Sequence, residues 1–139
     1  MKHIAQILRE WSYPAYTADI VIIRDNQILL IKRKNDPYKN MWALPGGFVD
    51  EGETPLEAAK RELKEETNLT VHSLTYVGKW DKDNRDPRGK VVTTAFKAIV
   101  QGDMKPKAGD DAKEIKWFDV DDLPQLAFDH KDIIVAALR

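Results

Sequence analysis

Residues 47 to 69 read GFVDEGETPLEAAKRELKEETNL, a stretch that combines the signals of a helix start with an unusual density of carboxylates. Thr54 is a candidate N-cap, Pro55 suits the first helical position, and Glu57 stands three residues beyond the cap in a capping-box arrangement. The spacing predicts a helix from Pro55 to about Thr67. We expect this helix to be the central element of the fold.

Three carboxylates of this helix, Glu62, Glu65 and Glu66, are spaced by three and four residues and therefore project to one side. An apolar stripe that would face a sheet lies roughly 100° away on the helix. The stripe consists of Leu56, Ala59 and Leu63. Glutamates often lie on solvated helix faces, but a cluster this dense repels itself unless a cation lies within it. A hard divalent ion suits such oxygen ligands, so the stretch predicts metal-assisted chemistry on a phosphate.

The composition sets the class of protein. A chain of 139 residues with 42% hydrophobic and 32% charged residues predicts one soluble globular domain over residues 1 to 139. The net charge of −1 gives no field that favours nucleic acid or a membrane as partner. The lack of cysteine excludes disulfides, thiolate nucleophiles and cysteine-zinc sites. The start, MKHIAQILREW, is no secretory signal and no apolar run could cross a bilayer, so we expect a cytoplasmic location.

Outside the central helix the sequence predicts a mixed α+β fold. Two strands over residues 17 to 24 and 27 to 34 are joined at Asp25-Asn26, and a short strand over 41 to 45 leads to a turn at Gly46-Gly47. Further strands are predicted over residues 71 to 80, 91 to 101 and 113 to 118, and helices over 3 to 10 and 129 to 138. Strands with well-separated helices favour an α/β/α sandwich.

The spacing of Gly47, Glu53 and the run from Arg61 to Leu69 resembles the Nudix box. That pattern is glycine, five residues, glutamate, seven residues, then arginine-glutamate-aliphatic-any-glutamate-glutamate-any-glycine-aliphatic. The chain departs from it at Asn68, where the family has a glycine. That glycine closes the helix in a left-handed conformation, and asparagine is the next residue most able to adopt it. We expect the change to cost about 1 kcal/mol and to leave the chemistry intact.

The resemblance implies a metal site and the roles of its residues. Nudix hydrolases use the box as a loop-helix-loop that binds Mg²⁺ or Mn²⁺ and cleaves a nucleoside diphosphate linked to another group. The positions that match the metal ligands are the Gly46 carbonyl, Glu62, Glu65 and Glu66. Arg61 and Glu53 match a salt bridge that supports the loop.

The residue that takes the proton from water varies within the family. Inside the box Glu65 or Glu62 is the candidate. Outside it, Glu114, Asp110 and Asp111 occupy a loop whose equivalent supplies the base in some members. A solvated acidic turn would explain these three residues equally well.

Three further segments are similar to the ADP-ribose pyrophosphatase branch, over most of residues 17 to 130. They are MWALPGGFVDEGET, DNRDPRGKVVTTAF and AGDDAKEIKWFDVDDLPQLAFDH. Such an enzyme splits ADP-ribose into AMP and ribose 5-phosphate. Arg33 and Arg88 are candidates for binding the pyrophosphate, because guanidinium groups suit phosphate oxygens, although a surface salt bridge would account for either.

An adenine would need a flat partner beside these cations. The aromatic candidates near the expected cleft are Trp42, Phe48, Tyr16 and Trp80, although strand aromatics more often belong to the core. His130 stands at a helix start, where we expect it to be satisfied locally rather than by substrate.

Two alternatives remain beside ADP-ribose hydrolysis. One is a Nudix hydrolase of another nucleotide, such as an oxidised triphosphate, a dinucleoside polyphosphate or NADH. The other is a regulator that binds ADP-ribose without cleaving it, which the intact glutamates and the lack of a basic recognition helix before Arg139 disfavour. The resemblance also implies a homodimer, in which the segment through Tyr16 could reach the partner.

Overall fold

The computed structural model describes residues 13–102, 105–109 and 112–139. The described residues form one mixed sheet of seven strands and two helices, which confirms the predicted α+β class. The strands are β1 (Ala15–Arg24), β2 (Gln27–Arg33), β3 (Trp42–Ala43), β4 (Gly46–Phe48), β5 (Thr75–Trp80), β6 (Val91–Ile99) and β7 (Ala112–Asp119). The helices are α1 (Pro55–Thr67) and α2 (His130–Ala137). The helix expected over residues 3 to 10 lies outside the described residues.

Strand β1 is the centre of the sheet. One of its edges pairs in parallel with β6, from Ala15 opposite Val91 onward. The other edge is shared by two antiparallel partners, β2 near the end of β1 and β4 near its start. Strands β5 and β7 extend the sheet outward from β6 and β2. Because β2 and β4 hold different parts of the same edge, they separate beside the middle of β1.

The two helices cover opposite faces of this sheet. The cluster on the α1 face includes Ala18, Ile20, Ile22, Ala59 and Leu63. The cluster on the α2 face includes Val21, Ile28, Ile133 and Ile134. Neighbouring residues of β1 thus point to opposite faces, as strand geometry requires, and both faces are buried. Each fully buried side chain of this size contributes about 1.5–3 kcal/mol, so these two layers hold the fold together.

Two local expectations were wrong. Gly46-Gly47 is not a turn but the start of β4, where the backbone pairs with Asp19 and Ala18 of β1. The apolar stripe of α1 does not include Leu56, which is 38% exposed, and Ala58 is buried in its place. No helix among the described residues is long and apolar enough to span a membrane.

Candidate active site

Helix α1 begins and ends as its sequence predicts. The Glu57 N–H donates to Thr54 Oγ1 at 3.1 Å and the Thr54 N–H donates to Glu57 Oε1 at 2.9 Å, which completes the capping box. At the other end Asn68 adopts a left-handed conformation with φ 61°, and its N–H donates to the Lys64 carbonyl at 2.9 Å. The asparagine therefore closes the helix as the family's glycine would.

Arg61 fixes the loop before α1. Its Nε donates to Glu53 Oε2 at 2.7 Å and its Nη2 to Glu53 Oε1 at 2.9 Å, so the expected ion pair is present and bidentate. Nη2 also donates to the Phe48 carbonyl at 3.0 Å and lies 3.3 Å from Asp50 Oδ2. The hydrogen bonds to Glu53 raise the pKa of Arg61, burial opposes the rise, and Glu62 and Asp50 add to it.

The remaining nitrogen of Arg61 faces the carboxylates of the helix. Nη1 donates to Glu62 Oε1 at 2.8 Å and to Glu65 Oε2 at 3.3 Å. The Glu62 side chain is 1% exposed, whereas that of Glu65 is 50% exposed. The sequence predicted that a cation must lie among these carboxylates, and in this structure a guanidinium of the same helix fills that role.

The donor chemistry of this corner fits Mg²⁺ or Mn²⁺. Glu62, Glu65 and Glu66 offer the hard oxygen ligands that both ions prefer. The carboxylate of Glu62 lies against Gly47, where a Cβ would come within 2.5 Å of Glu62 Cδ, so only glycine lets the backbone and this carboxylate approach so closely. Within the described residues no three acidic or histidine side chains converge on one metal position, and Glu62 and Glu65 are both hydrogen-bonded to Arg61.

A pocket opens beside the middle of β1, between β2 and β4. Its walls come from β1, β2, the segment after β2, β4, the end of α1, the segment between β5 and β6, and the start of α2. Five of the predicted site residues line it: Arg33, Gly46, Phe48, Glu66 and Arg88. The end of the glutamate-bearing helix and both candidate arginines therefore face one space.

Arg33 is a buried cation on the β2 side of this pocket. Its Nε donates to the Pro37 carbonyl at 2.7 Å, and its guanidinium lies 5.1 Å from the centre of the Phe128 ring. Burial lowers the pKa of Arg33, and the nearby charge of Arg88 lowers it further. No salt bridge to Arg33 exists in the part of the chain that the structure describes. An anion bound in the pocket would offset both the burial of the Arg33 charge and its repulsion by Arg88.

Arg88 reaches the same space from the segment between β5 and β6. It donates to both oxygens of buried Asp86, at 3.1 and 2.8 Å, and its guanidinium lies 5.1 Å from the Phe48 ring and 5.9 Å from the Phe128 ring. Arg85 anchors the segment, because it donates to the two oxygens of Asp129 at 2.9 and 2.6 Å. This part of the wall is therefore held by two bidentate ion pairs.

His130 closes the back of the pocket. Its Nδ1 accepts a hydrogen bond from the Leu44 N–H at 3.0 Å, so the proton of the neutral ring is on Nε2, 3.6 Å from Asp19 Oδ2. Asp19 Oδ2 also accepts from Thr93 Oγ1 at 2.6 Å. Burial lowers the pKa of His130. The histidine is satisfied, but by a backbone group 86 residues away rather than locally as expected.

The other stacking candidates do not line the pocket. Trp42 packs edge-on against Phe118, with ring centres 4.8 Å apart, and belongs with Trp80 to the cluster on the α2 face. Tyr16 is 52% exposed. The structure thus leaves Phe48 as the aromatic candidate that faces the pocket.

Glu114 is not in a loop, which corrects its expected placement. It lies on β7 opposite Lys32, whose Nζ is 3.9 Å from Glu114 Oε1, and it does not line the pocket. Asp110 and Asp111 fall outside the described residues.

The pocket residues that the sequence analysis did not single out include Asp19, Arg85, Asp86 and Phe128. A signal existed for Asp19, since it is the lone acidic residue in the strand TADIVIIR, and a buried charge in such a strand needs a reason. Phe128 carried no such signal. Its φ of 53° is rare for an aromatic residue and places its ring between Arg33 and Arg88.

The segment before β7 is tied to the end of α1. The Lys107 N–H donates to the Thr67 carbonyl at 2.9 Å, and the Gly109 N–H donates to the Glu66 carbonyl at 2.8 Å. A Cβ on Gly109 would come within 1.9 Å of the Glu65 carbonyl oxygen, so only glycine fits. These bonds satisfy carbonyls that a helix end leaves unpaired, and one of them joins this segment to the backbone of Glu66, a candidate metal ligand.

Comparison with known proteins decides the family. The model of the NUDIX domain matches residues 14–137, nearly the whole chain. The chain belongs to the Nudix family. With the glutamates of the Nudix box in place and a pyrophosphatase relative at 49% identity, its class of enzyme is a Nudix pyrophosphohydrolase.

Two curated relatives illustrate the range of this Nudix protein's similarities. An ADP-ribose pyrophosphatase of Methanocaldococcus jannaschii is 49% identical over 132 residues, which cover 94% of this chain and 77% of the relative. The ADPR responsive transcriptional repressor NtrR of Acinetobacter baylyi is 33% identical over 92% of this chain, which spans 54% of the repressor.

Solved structures agree on the fold. A MutT/nudix family protein from Enterococcus faecalis superposes with a TM-score of 0.84 at 32% identity, covering 98% of this chain and 68% of that one. The NUDIX domain of Shewanella oneidensis NrtR, complexed with ADP ribose, superposes with a TM-score of 0.82 at 28% identity, covering 99% and 97%. The Nudix architecture expected from the sequence is thereby confirmed.

Proposed function

We propose that this Nudix protein hydrolyses the pyrophosphate bond of ADP-ribose to give AMP and ribose 5-phosphate. The observation that carries the proposal is that one pocket holds Glu66, at the end of the glutamate-bearing helix, together with Arg33 and Arg88. A carboxylate that suits a metal and two cations that suit phosphate are what a pyrophosphate substrate requires. The 49% identity to an ADP-ribose pyrophosphatase supports this substrate.

The proposed metal ligands are the Gly46 carbonyl, Glu62, Glu65 and Glu66. When bound there, Mg²⁺ or Mn²⁺ would neutralise charge on the pyrophosphate and make a bound water more acidic. Glu62 and Glu66 are buried at the edge of the pocket, so their positions are set by the fold rather than by solvent.

Glu65 is the proposed general base. It is half-exposed and its contact with Arg61 is the longer one, at 3.3 Å, whereas Glu62 is enclosed and held at 2.8 Å. In the proposed step a water oxygen bonds to phosphorus and its proton passes to Glu65, while the bridging P–O bond breaks and its electron pair stays with the leaving phosphate. Glu114 is the reserve candidate for this role, although Lys32 lies beside it on the neighbouring strand.

Arg33 and Arg88 are the proposed phosphate-binding residues. Arg33 feels the charges of Asp19, Asp86 and Glu66 but has no salt bridge among the described residues, so a phosphate could form its first close ion pair. Arg88 forms an ion pair with Asp86, and this pair holds the Arg88 guanidinium over the rings of Phe48 and Phe128. These two rings offer the apolar surface that a base or a ribose would contact.

The test is a turnover assay with ADP-ribose, with Mg²⁺, with Mn²⁺ and with EDTA, followed by chromatography of the products. We expect AMP and ribose 5-phosphate in equal amounts, and no reaction in EDTA. Undiminished hydrolysis in EDTA would refute the metal-dependent site. If an oxidised triphosphate, a dinucleoside polyphosphate or NADH gave a higher kcat/KM, that compound would be the preferred substrate instead of ADP-ribose.

A second candidate function is ADP-ribose binding without cleavage. The similarity to NtrR and to an ADP-ribose-bound NrtR domain favours it. Calorimetric binding of ADP-ribose in Mg²⁺ with no product after prolonged incubation would select this candidate. We further propose a homodimer, and light scattering that gives the mass of one chain would refute it.

A further inference from the structure

The contacts of Arg61 divide its guanidinium into two ends. Nε and Nη2 hold the loop through Glu53, Phe48 and Asp50, whereas Nη1 donates to Glu62 and Glu65. We infer that Arg61 is a place-holder for the divalent ion, whose Nη1 keeps Glu62 and Glu65 together before the ion binds and gives them up when it does. The inference rests on the metal site proposed above.

The two ends differ in how firmly they are held. The loop end has a bidentate pair with Glu53, at 2.7 and 2.9 Å, and a backbone acceptor. The other end has two separate carboxylates at 2.8 and 3.3 Å, and Glu65 is half-exposed. When an ion competes for Glu62 and Glu65, Arg61 can therefore stay on the loop while Nη1 releases these two carboxylates.

A bound ion and Arg61 Nη1 would compete for Glu62 and Glu65, for reasons of charge and of hydrogen bonding. The oxygens that Nη1 occupies are the oxygens that a metal would coordinate, and a guanidinium and a dication repel each other at such close range. Without Nη1, Glu62 and Glu65 would lose the cation that lies between them and would repel each other more strongly. The place-holder thus stabilises the metal-free protein and weakens metal binding at the same time.

A positioning role for Arg61 predicts the opposite result. If Nη1 served only to orient Glu62 and Glu65 for the metal, its removal would scatter the ligands and weaken metal binding. The sign of the change in metal affinity therefore separates the two roles.

The experiment compares the parent, Arg61→Gln and Lys60→Gln, without nucleotide. Lys60 is an exposed lysine of the same helix, so its substitution makes the same change in charge without touching Glu62 or Glu65. Mn²⁺ affinity is measured by calorimetry or electron paramagnetic resonance, and melting temperature in EDTA and in saturating Mn²⁺. We expect Arg61→Gln to bind Mn²⁺ about tenfold more tightly and to gain more melting temperature from it than the parent, because a charged hydrogen bond no longer competes. Lys60→Gln should match the parent.

Equal or weaker Mn²⁺ binding by Arg61→Gln overturns the inference while leaving the metal site in place. No Mn²⁺ binding by the parent itself refutes the proposed site. If circular dichroism shows that Arg61→Gln folds only when Mn²⁺ is present, that result supports the inference most strongly. If that variant does not fold under either condition, Arg61→Lys decides, since lysine keeps the charge but cannot hold both ends. Tighter Mn²⁺ binding than the parent supports the inference, and weaker or equal binding overturns it.

Discussion

The two sides of the pocket are built in different ways. On the α1 side, Arg61 finds its carboxylates between Asp50 and Glu65, close along the chain. On the other side, which we call the arginine wall (Arg33, Arg88 and Phe128 with the ion pairs behind them), Arg88 pairs locally with Asp86 but other contacts join distant segments. Arg85 and Asp129 are 44 residues apart. The first side is a product of local spacing and the second a product of topology.

The two sides also use their cations differently. Arg61 is surrounded by carboxylates and its pKa is raised, whereas Arg33 is buried without a salt bridge among the described residues and its pKa is lowered. A cation held in close ion pairs contributes to folding, while a buried cation whose carboxylate neighbours lie beyond salt-bridge distance is prepared for an anionic ligand. We therefore expect substitutions on the α1 side to affect chemistry and stability, and those on the arginine wall to affect substrate binding.

The largest effect should come from Glu65→Gln. The amide keeps the size of the side chain but cannot accept a proton or bind a metal as an anion, so turnover of ADP-ribose should fall by about 10²–10⁴. Because Glu65 is half-exposed, the far-ultraviolet circular dichroism should remain that of the parent. A turnover within a few-fold of the parent would remove Glu65 from the mechanism.

Arg33→Gln should act mainly on KM. Loss of a charged hydrogen bond to phosphate costs about 1.5–3 kcal/mol, which predicts a fall of kcat/KM of roughly ten- to a hundredfold. Arg24→Gln is the matched control, since Arg24 lies over Trp117 at 4.1 Å and does not line the pocket, and it should leave KM unchanged.

The same Arg33 variant also tests whether the two sides of the pocket contribute differently to stability. Its melting temperature should fall less than that of Arg61→Gln, because burial already disfavours the charge of Arg33. An equal or larger fall for Arg33→Gln would show that the arginine wall holds the fold together as the α1 side does.

A smaller effect, on the pH dependence of stability, should come from His130. Burial lowers its pKa in the folded state, while the unfolded chain binds a proton near the ordinary value of 6.5. Its contribution is therefore present above about pH 6.5 and is lost as the pH falls towards the folded value, by up to about 1.4 kcal/mol per pH unit. His130→Asn keeps an acceptor for the Leu44 N–H and should show a shallower loss of unfolding free energy between pH 7.5 and 5 in urea titrations.

His72→Asn is the control for that titration, because His72 is exposed. Its free energy of unfolding should fall between pH 7.5 and 5 as steeply as that of the parent. The same slope in His130→Asn and the parent would contradict a buried neutral histidine behind the pocket.

The smallest effect should come from Asn68→Gly. Glycine adopts the observed φ of 61° without a steric penalty, so the free energy of unfolding should rise by at most about 1 kcal/mol, with turnover unchanged. Chemical denaturation and the ADP-ribose assay measure the two. A decrease in stability would mean that the asparagine side chain makes a contribution of its own.

Local rules explain which parts of the molecule were predictable. The capping box, the helix from Pro55 to Thr67, the closing Asn68 and the hairpin at Asp25-Asn26 all depend on neighbours along the chain, and the structure has each of them. The strand at Gly46-Gly47 could not be predicted from the sequence, because two glycines favour a turn unless a partner strand is present. In the structure that partner is β1.

The arginine wall could be read only in part. Arg33 and Arg88 were found as phosphate candidates, but their convergence depends on Phe128, whose left-handed backbone no sequence rule predicts. Trp42 seemed suited to stacking, yet its strand position turns it towards Phe118 and the α2 face. Side-chain direction in a two-residue strand depends on its register with β2, which is a long-range property.

The contact of Gly109 with the end of α1 has a practical consequence for protein engineering. Because Lys107 and Gly109 donate to the Thr67 and Glu66 carbonyls, lengthening or shortening residues 105–109 would be transmitted to the carboxylate-bearing turn. Peptide tags, affinity loops and permuted termini belong elsewhere, and the hairpin turn at Asp25-Asn26 is a better site. For the same reason, a fluorophore attached to this segment would report on changes at the carboxylate-bearing end of α1.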